Sequence, residues 1–245
     1  MEPKRKRRYF ITFLILIACV LVCLVLNICI GTVQISLAEA WYAIADRTNR
    51  LGRIIMDIRM PRTFAAMILG GALALAGYLL QTFFHNPIAG PFVLGISSGA
   101  KMVVALVMVF LMGNAVKVSS AAMIAAAFAG AMISMGFVLL MSKRVNNMAM
   151  LVVSGVMIGY ICSAITELVV TFADDADIVN LHNWSRGSFS GMTWNNVAVM
   201  SVVTGVTVIW IFMLSKPLGA YQMGESYARS MGVNIRMLRV AMVIL

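Results

Sequence analysis

Six uninterrupted apolar runs dominate the chain, near Tyr9 to Ile30, Thr63 to Phe84, Pro91 to Gly113, Val118 to Met141, Met148 to Phe172 and Asn195 to Leu214. Each is long enough for an α-helix to cross a hydrocarbon layer about 30 Å thick, which takes ~20 apolar residues. The composition agrees. Of 245 residues 62% are hydrophobic and 11% charged, and mean hydropathy is +0.95. A soluble globular chain has an apolar share nearer half and a charged share nearer a quarter, so that class is excluded. The expected fold class is an all-α polytopic membrane protein, a helical bundle in which residues 1–245 form a single transmembrane domain. A seventh apolar run begins near Met237 and reaches Leu245, about half of a span. The reading is therefore six full spans plus a partial seventh, in a chain expected to be truncated at its C-terminus. No length remains for a soluble domain of ordinary size, and soluble catalytic machinery must come from a partner.

The charges orient the bundle. Lys4, Arg5, Lys6, Arg7 and Arg8 precede the first run, whose apolar stretch is longer than a signal-peptide core and has no clear small-residue cleavage site. A retained helix with a cytoplasmic N-terminus follows. Spans then alternate so that Lys143, Arg144, Lys216, Arg229 and Arg236 also fall inside, opposed only by Glu2 and Glu225. The net charge of +10 is thus the positive-inside signature of a membrane protein, with no nucleic acid implied. Outer segments carry Arg47, Arg50, Arg53, Arg59, Arg62, Lys117 and Arg186 against Glu39, Asp46, Asp57, Asp174, Asp175 and Asp177. The five arginines of the first outer loop run against the orientation rule and call for a reason.

Three spans carry small residues four apart: Ala66, Gly70 and Ala74; Ala122, Ala126, Gly130 and Ser134; Gly155 and Gly159. Such stripes permit close backbone approach between helices. The twenty-one methionines read as lipid-facing or gap-filling residues. Cys19, Cys23, Cys29 and Cys162 lie inside apolar runs without the spacing of a metal site or disulfide framework.

Side chains able to do chemistry are few. Lys101 and Glu167 are the only formal charges within the six spans. Lys101 either snorkels inward or faces a cavity; Glu167 either sits at the interface or lines a mouth. His85 and His182 fall on opposite sides of the membrane, which excludes an HExxH metal site, and no cofactor site is assembled. Gly95, Ser97 and Gly99 match the GxSxG nucleophile pattern. Ser97 or Ser98 as an intramembrane hydrolase would need a base nearby, and His182 lies across the bilayer.

Backbone chemistry says more. In "HNPIAGPFVLGISSGA", Asn86 and Pro87 end the second helix, Gly90 and Pro91 break the chain, and Gly95 and Gly99 admit strained or closely packed backbone. Non-helical backbone at membrane depth is tolerated beside protein or a water-filled cavity, the setting of transporter pathways. In "RMPR", Pro61 suits a first helical turn and Arg59 and Arg62 share a face. Planar guanidinium groups there suit either headgroups or carboxylates of an acidic partner. On the inner side, Gly224 and Gly232 bracket a short helix in which Glu225 and Arg229, four apart, can bridge. A helix that short needs something to pack on.

The stretches "RMPRTFAAMILGGALALAGYLLQTFFHNPIAGPFVLGISSGA", "WSRGSFSGMTW" and "LGAYQMGESYARSMGVN" together resemble the permease subunits of iron-siderophore, haem and cobalamin ABC importers, the FecCD-type family. The resemblance implies a bundle of the type II importer kind in a bacterial inner membrane, paired as a homodimer or with a second permease. It implies a cytoplasmic ATP-binding-cassette ATPase and a soluble extracytoplasmic substrate-binding protein as partners. Arg59 and Arg62 match arginines that pair with acids of the binding protein. Gly224, Glu225, Ala228, Arg229 and Gly232 match the cytoplasmic helix that seats in the ATPase, within a coupling segment at residues 218–234. Gly155, Gly159 and Glu167 become pathway candidates. Gly90 stands where members commonly carry an acid, and members have about ten spans, so the last three to four are expected to be missing. The alternatives are a truncated remnant that does not transport, or an intramembrane serine hydrolase.

Overall fold

A computed structural model describes residues 3–45, 49–87, 90, 94–112, 120–142, 144 and 148–245. Among them every regular element is helical. Two compact units are distinguished, Met1–Gly71 with Phe189–Thr204 and Ala72–Ser188 with Gly205–Leu245.

In the first unit, α1 (Pro3–Cys29) is the first span; past the exposed basic residues Arg5 to Arg8 of its first turns, its exposed surface is largely apolar from Tyr9 to Leu26. A short helix α2 (Leu37–Ala45) follows. It is opened by a reciprocal capping box: Ser36 N–H donates to Glu39 Oε2 at 2.9 Å and Glu39 N–H to Ser36 Oγ at 3.3 Å. Next, α3 (Arg50–Arg53) passes through a π-helical stretch, Ile54–Arg59, into α4 (Met60–Phe84). The continuous Arg50–Phe84 helix has 35 residues, about 52 Å at 1.5 Å per residue, so its first turns extend past the hydrocarbon. The helix that carries the second span thus begins well before Thr63. Ile28, Ile35, Ala40, Ala43 and Ile55 form the apolar core of this unit. Trp194, at the start of α9 (Trp194–Met213), donates its indole N–H to the Met56 carbonyl at 2.8 Å and packs on Phe64.

The second unit is built on a crossing of three helices: α5 (Ile96–Val107, continued by a π turn to Met112), α6 (Ser120–Met141) and α7 (Met148–Thr171). Gly95 holds a left-handed conformation, φ 69°, and a Cβ there would lie 2.7 Å from the Cα and N of Gly159. A Cβ on Gly130 would lie 2.7 Å from the Gly99 carbonyl carbon. The stripes on α6 and α7 therefore do what small residues permit, contact of backbone with backbone. The Ala66, Gly70 and Ala74 stripe differs: it is exposed, and a Cβ on Gly70 would meet nothing within 4 Å. Gly99 lies inside α5 and packs closely, since a Cβ there would lie 2.5 Å from the Gly130 carbonyl oxygen.

Beyond α7, α8 (Asp175–Arg186) was not expected as a helix; Asp175 and Asp177 sit in its first turn, where the dipole favours acids. The chain then runs through α9, α10 (Ser215–Gln222), α11 (Glu225–Ser230) and α12 (Ile235–Ile244). Five described helices are long and apolar enough to span a membrane, and the expected third span is the shorter apolar helix Ile96–Phe110. Its expected ends at Pro91 and Gly113, and the fourth span's start at Val118, lie outside the described residues.

Candidate functional site

Where α4 ends and α10 begins, the second unit concentrates its polar contacts. The helix closes with His85 in a left-handed conformation, φ 47°, while Asn86 N–H reaches the Gln81 carbonyl at 3.1 Å. Histidine is among the few non-glycine residues that tolerate this cap position. Pro87 follows; Pro91, named with it as a break residue, lies outside the described residues. The cap aims the His85 ring at Tyr221 of α10. Nε2 lies 2.9 Å from the Tyr221 carbonyl oxygen, the arrangement of a donor on a carbonyl, and the two ring centroids are 4.6 Å apart with the planes tilted by 52°. Gln222 Nε2 donates to Thr82 Oγ1 at 2.9 Å.

Tyr221 is fully buried, and its hydroxyl lies 3.3 Å from Glu225 Oε1 and 3.5 Å from the Phe83 carbonyl. Arg239 of α12 donates from Nε to the same hydroxyl at 3.2 Å and from Nη2 to Glu225 Oε1. Burial pushes the Tyr221 phenol above its ordinary 10.0, partly opposed by the Arg239 guanidinium, so it is protonated throughout the physiological range. The expected Glu225–Arg229 bridge is thus replaced by Glu225–Arg239. Physically, Arg239 brings a second hydrogen bond to a buried phenol, whereas Arg229 is left exposed.

This network fixes α11. Gly224, φ 121°, turns the chain into it and Gly232, φ 80°, turns it out. The closing bonds run from Gly232 N–H to the Arg229 carbonyl and from Val233 N–H to the Ala228 carbonyl, both 3.0 Å. Ala228 is buried in the apolar cluster with Phe83, Phe84, Leu218 and Tyr221. The outer surface presents Met223, Tyr227, Arg229 and Met231. Asn234 caps α12 by accepting from Met237 N–H at 3.1 Å.

The two arginines of "RMPR" divide. Arg59 is 8% exposed, and its guanidinium donates to the carbonyls of Ile28 and Val33, tying the end of α1 to the start of α4. Its side chain is a buried clamp in this conformation; Arg62 is half-buried, and Arg50 and Arg53 are exposed. The pathway candidates also separate. Gly155 and Gly159 pack directly against Leu94 and Gly95, while Glu167 is exposed near the end of α7. Lys101 lies in the second turn of α5, half-buried. Ser98 Oγ accepts from Ser163 Oγ at 3.3 Å, a hydroxyl pair rather than the hydroxyl–imidazole pair of a nucleophile. No group of His, Cys, Asp and Glu among the described residues could hold a metal. A cleft of about 670 Å³ near the ends of α9 and α12 is apolar, lined by Trp210, Leu214, Met237 and Ala241.

Sequence reasoning missed Arg239 and His85. Arg239 carried one available signal, a charge standing inside an otherwise apolar run.

Comparison with known proteins places this geometry. A family model for the FecCD transport family matches residues 19–245. Along its whole length the chain is 32% identical to the vitamin B12 import system permease protein BtuC of Klebsiella pneumoniae subsp. pneumoniae, and it covers 70% of that protein. Over 99% of its length it is 34% identical to the BtuC of Salmonella typhi, covering 71%. A solved structure described as an inward-facing metal-chelate type ABC transporter matches with a TM-score of 0.76 over 91% of this chain and 68% of the other. At 23% identity that likeness speaks for the fold. The helical spans, taken with these relatives, define a multi-pass membrane permease. The chain belongs to the FecCD transport family.

Proposed function

We propose that this chain is the permease subunit of an ATP-driven importer for a metal chelate of the cobalamin, haem or iron-siderophore class. The observation that carries the proposal is α11. Its inner face is fixed by Ala228 and by the Glu225–Arg239–Tyr221 network, while Tyr227 and Arg229 are exposed, as is Met231 just beyond its end. A six-residue helix has no stability of its own, so a helix held this firmly is suited to receive and pass on a push. The pusher is a cytoplasmic ATPase dimer, and the push rocks the spans between inward- and outward-open states, with no covalent chemistry in this chain.

In this reading the protein lies in a bacterial inner membrane with its N-terminus inside. The coupling segment, residues 218–234, belongs to one transmembrane domain, which pairs with a second permease copy around a pathway bordered by the exposed face of α7 and Glu167. Gly155 and Gly159 set how closely α7 approaches α5. A soluble binding protein delivers the chelate from outside. Arg62 meets its acidic surface, and Arg59 holds the outer end of α1 so that Arg62 is positioned. Reversing Arg62 to Glu should lower binding-protein-stimulated ATP hydrolysis about tenfold, the equivalent of ~1.4 kcal/mol of lost docking free energy, without changing basal hydrolysis. Stimulation equal to wild type would remove Arg62 from the docking surface.

A further inference from the structure

One face of α2 has none of its own unit against it. Ala40 and Ala43 point inward, packed with Ile28, Ile35 and Ile55. At 3.6 residues per turn, Leu37, Ala38, Trp41 and Tyr42 share the opposite arc. Leu37 is 66% exposed, Trp41 77% and Tyr42 74%. The arc carries no charge, because Glu39 on its flank is turned back to the Ser36 N–H.

The chain itself fixes the level at which this face stands. The membrane-crossing helix α1 ends at Cys29, and Ile28 in its last turn belongs to the same apolar cluster as Ala40 and Ala43. Exposed Leu26, Ile30 and Val33 lead from α1 to Leu37, and no charged residue interrupts residues 26–38. The apolar surface of α1 therefore leads onto α2 with only the uncharged polar residues Thr32, Gln34 and Ser36 between. At that depth a bilayer changes from hydrocarbon to headgroups, where tryptophan and tyrosine are favoured because an apolar ring carries a polar edge. Helices with one apolar face lie in that plane with the face sunk among headgroups and upper acyl carbons.

We propose that α2 is an interfacial helix whose Leu37, Trp41 and Tyr42 face is seated in the headgroup–acyl boundary of the bilayer, anchoring the end of the first span. The occupant of this face is lipid; a soluble protein partner on the same face is the competing outcome.

The test uses the protein reconstituted into phosphatidylcholine vesicles whose acyl chains carry bromine close to the headgroup. With Trp184, Trp194 and Trp210 each changed to Phe, emission from Trp41 should fall roughly two-fold in brominated vesicles and change little with aqueous iodide, as a ring at the acyl boundary requires. Trp194 bonds the Met56 carbonyl, so the same quantity is read a second way, as the difference between the wild-type protein and Trp41→Phe. Iodide quenching without bromine quenching overturns the proposal, and so does shielding of Trp41 that appears only after a soluble partner protein is added.

Discussion

Changing Arg239 to Glu is expected to lower substrate uptake on the order of tenfold while the protein still inserts and ATP is still hydrolysed, because the substitution sets two carboxylates together at Tyr221. Glu225 and Arg239 are only partly buried, at 31% and 21% side-chain exposure, so the cost is that of a charge-assisted hydrogen-bond pair rather than of a fully desolvated ion. Such pairs contribute ~1.5–3 kcal/mol, enough to let α11 shift without carrying the transmembrane helices along. The double exchange Glu225→Arg with Arg239→Glu restores opposite charges across the same gap and should recover most of the uptake, since contacting residues couple by about 0.5–3 kcal/mol. Arg229→Glu is not rescued by any change at Glu225, because these two do not pair in the fold. If the double exchange were as defective as either single change, the network would not be the element that transmits motion.

A second large effect belongs to the glycine crossing. Gly95→Ala places a methyl 2.7 Å from the Gly159 backbone and 2.8 Å from the Gly155 carbonyl, at a φ that L-residues rarely adopt. Left-handed strain costs about 1–2 kcal/mol and overpacking typically ~1–3 kcal/mol more. The expected result is a loss of several degrees in thermal stability of the solubilised protein, or failure to accumulate. Gly159→Ala, whose Cβ would stand 2.9 Å from Gly95 Cα, should fall in the same range. Gly136→Ala is the control: nothing lies within 4 Å of its Cβ, and it should be neutral or slightly stabilising. Equal stability of all three would mean that α5 and α7 do not cross as described.

Much of this architecture is legible in the sequence because bilayer thickness imposes one length scale on every span. The runs ending at Phe84, Met141 and Leu214 correspond to helices ending at Phe84, Met141 and Met213. Gly224 and Gly232 are readable as helix brackets for a local reason, and both hold positive φ. What escaped was set by contacts distant in sequence. Arg239 stands fourteen residues beyond Glu225, and spacing rules reach only one helical turn, so they select Arg229 instead. Arg59 reads as a surface arginine from "RMPR" alone, yet partners 31 and 26 residues upstream bury it. The helix α2 went unread because only a capping box marks a segment too short for a span. α8 hid behind aspartates that read only as outer-segment charges.

The central claim is that this chain forms the membrane part of an ATP-driven importer of metal chelates and that α11 couples it to the ATPase. It is tested most directly by energy-dependent accumulation of radiolabelled cobalamin, haem and a ferric siderophore in cells deleted for this chain. The account predicts that uptake of one of these is lost on deletion, returns with the wild-type chain and does not return with Arg229→Glu. Unchanged uptake of all three in the deletion strain, or full restoration by Arg229→Glu, would contradict it.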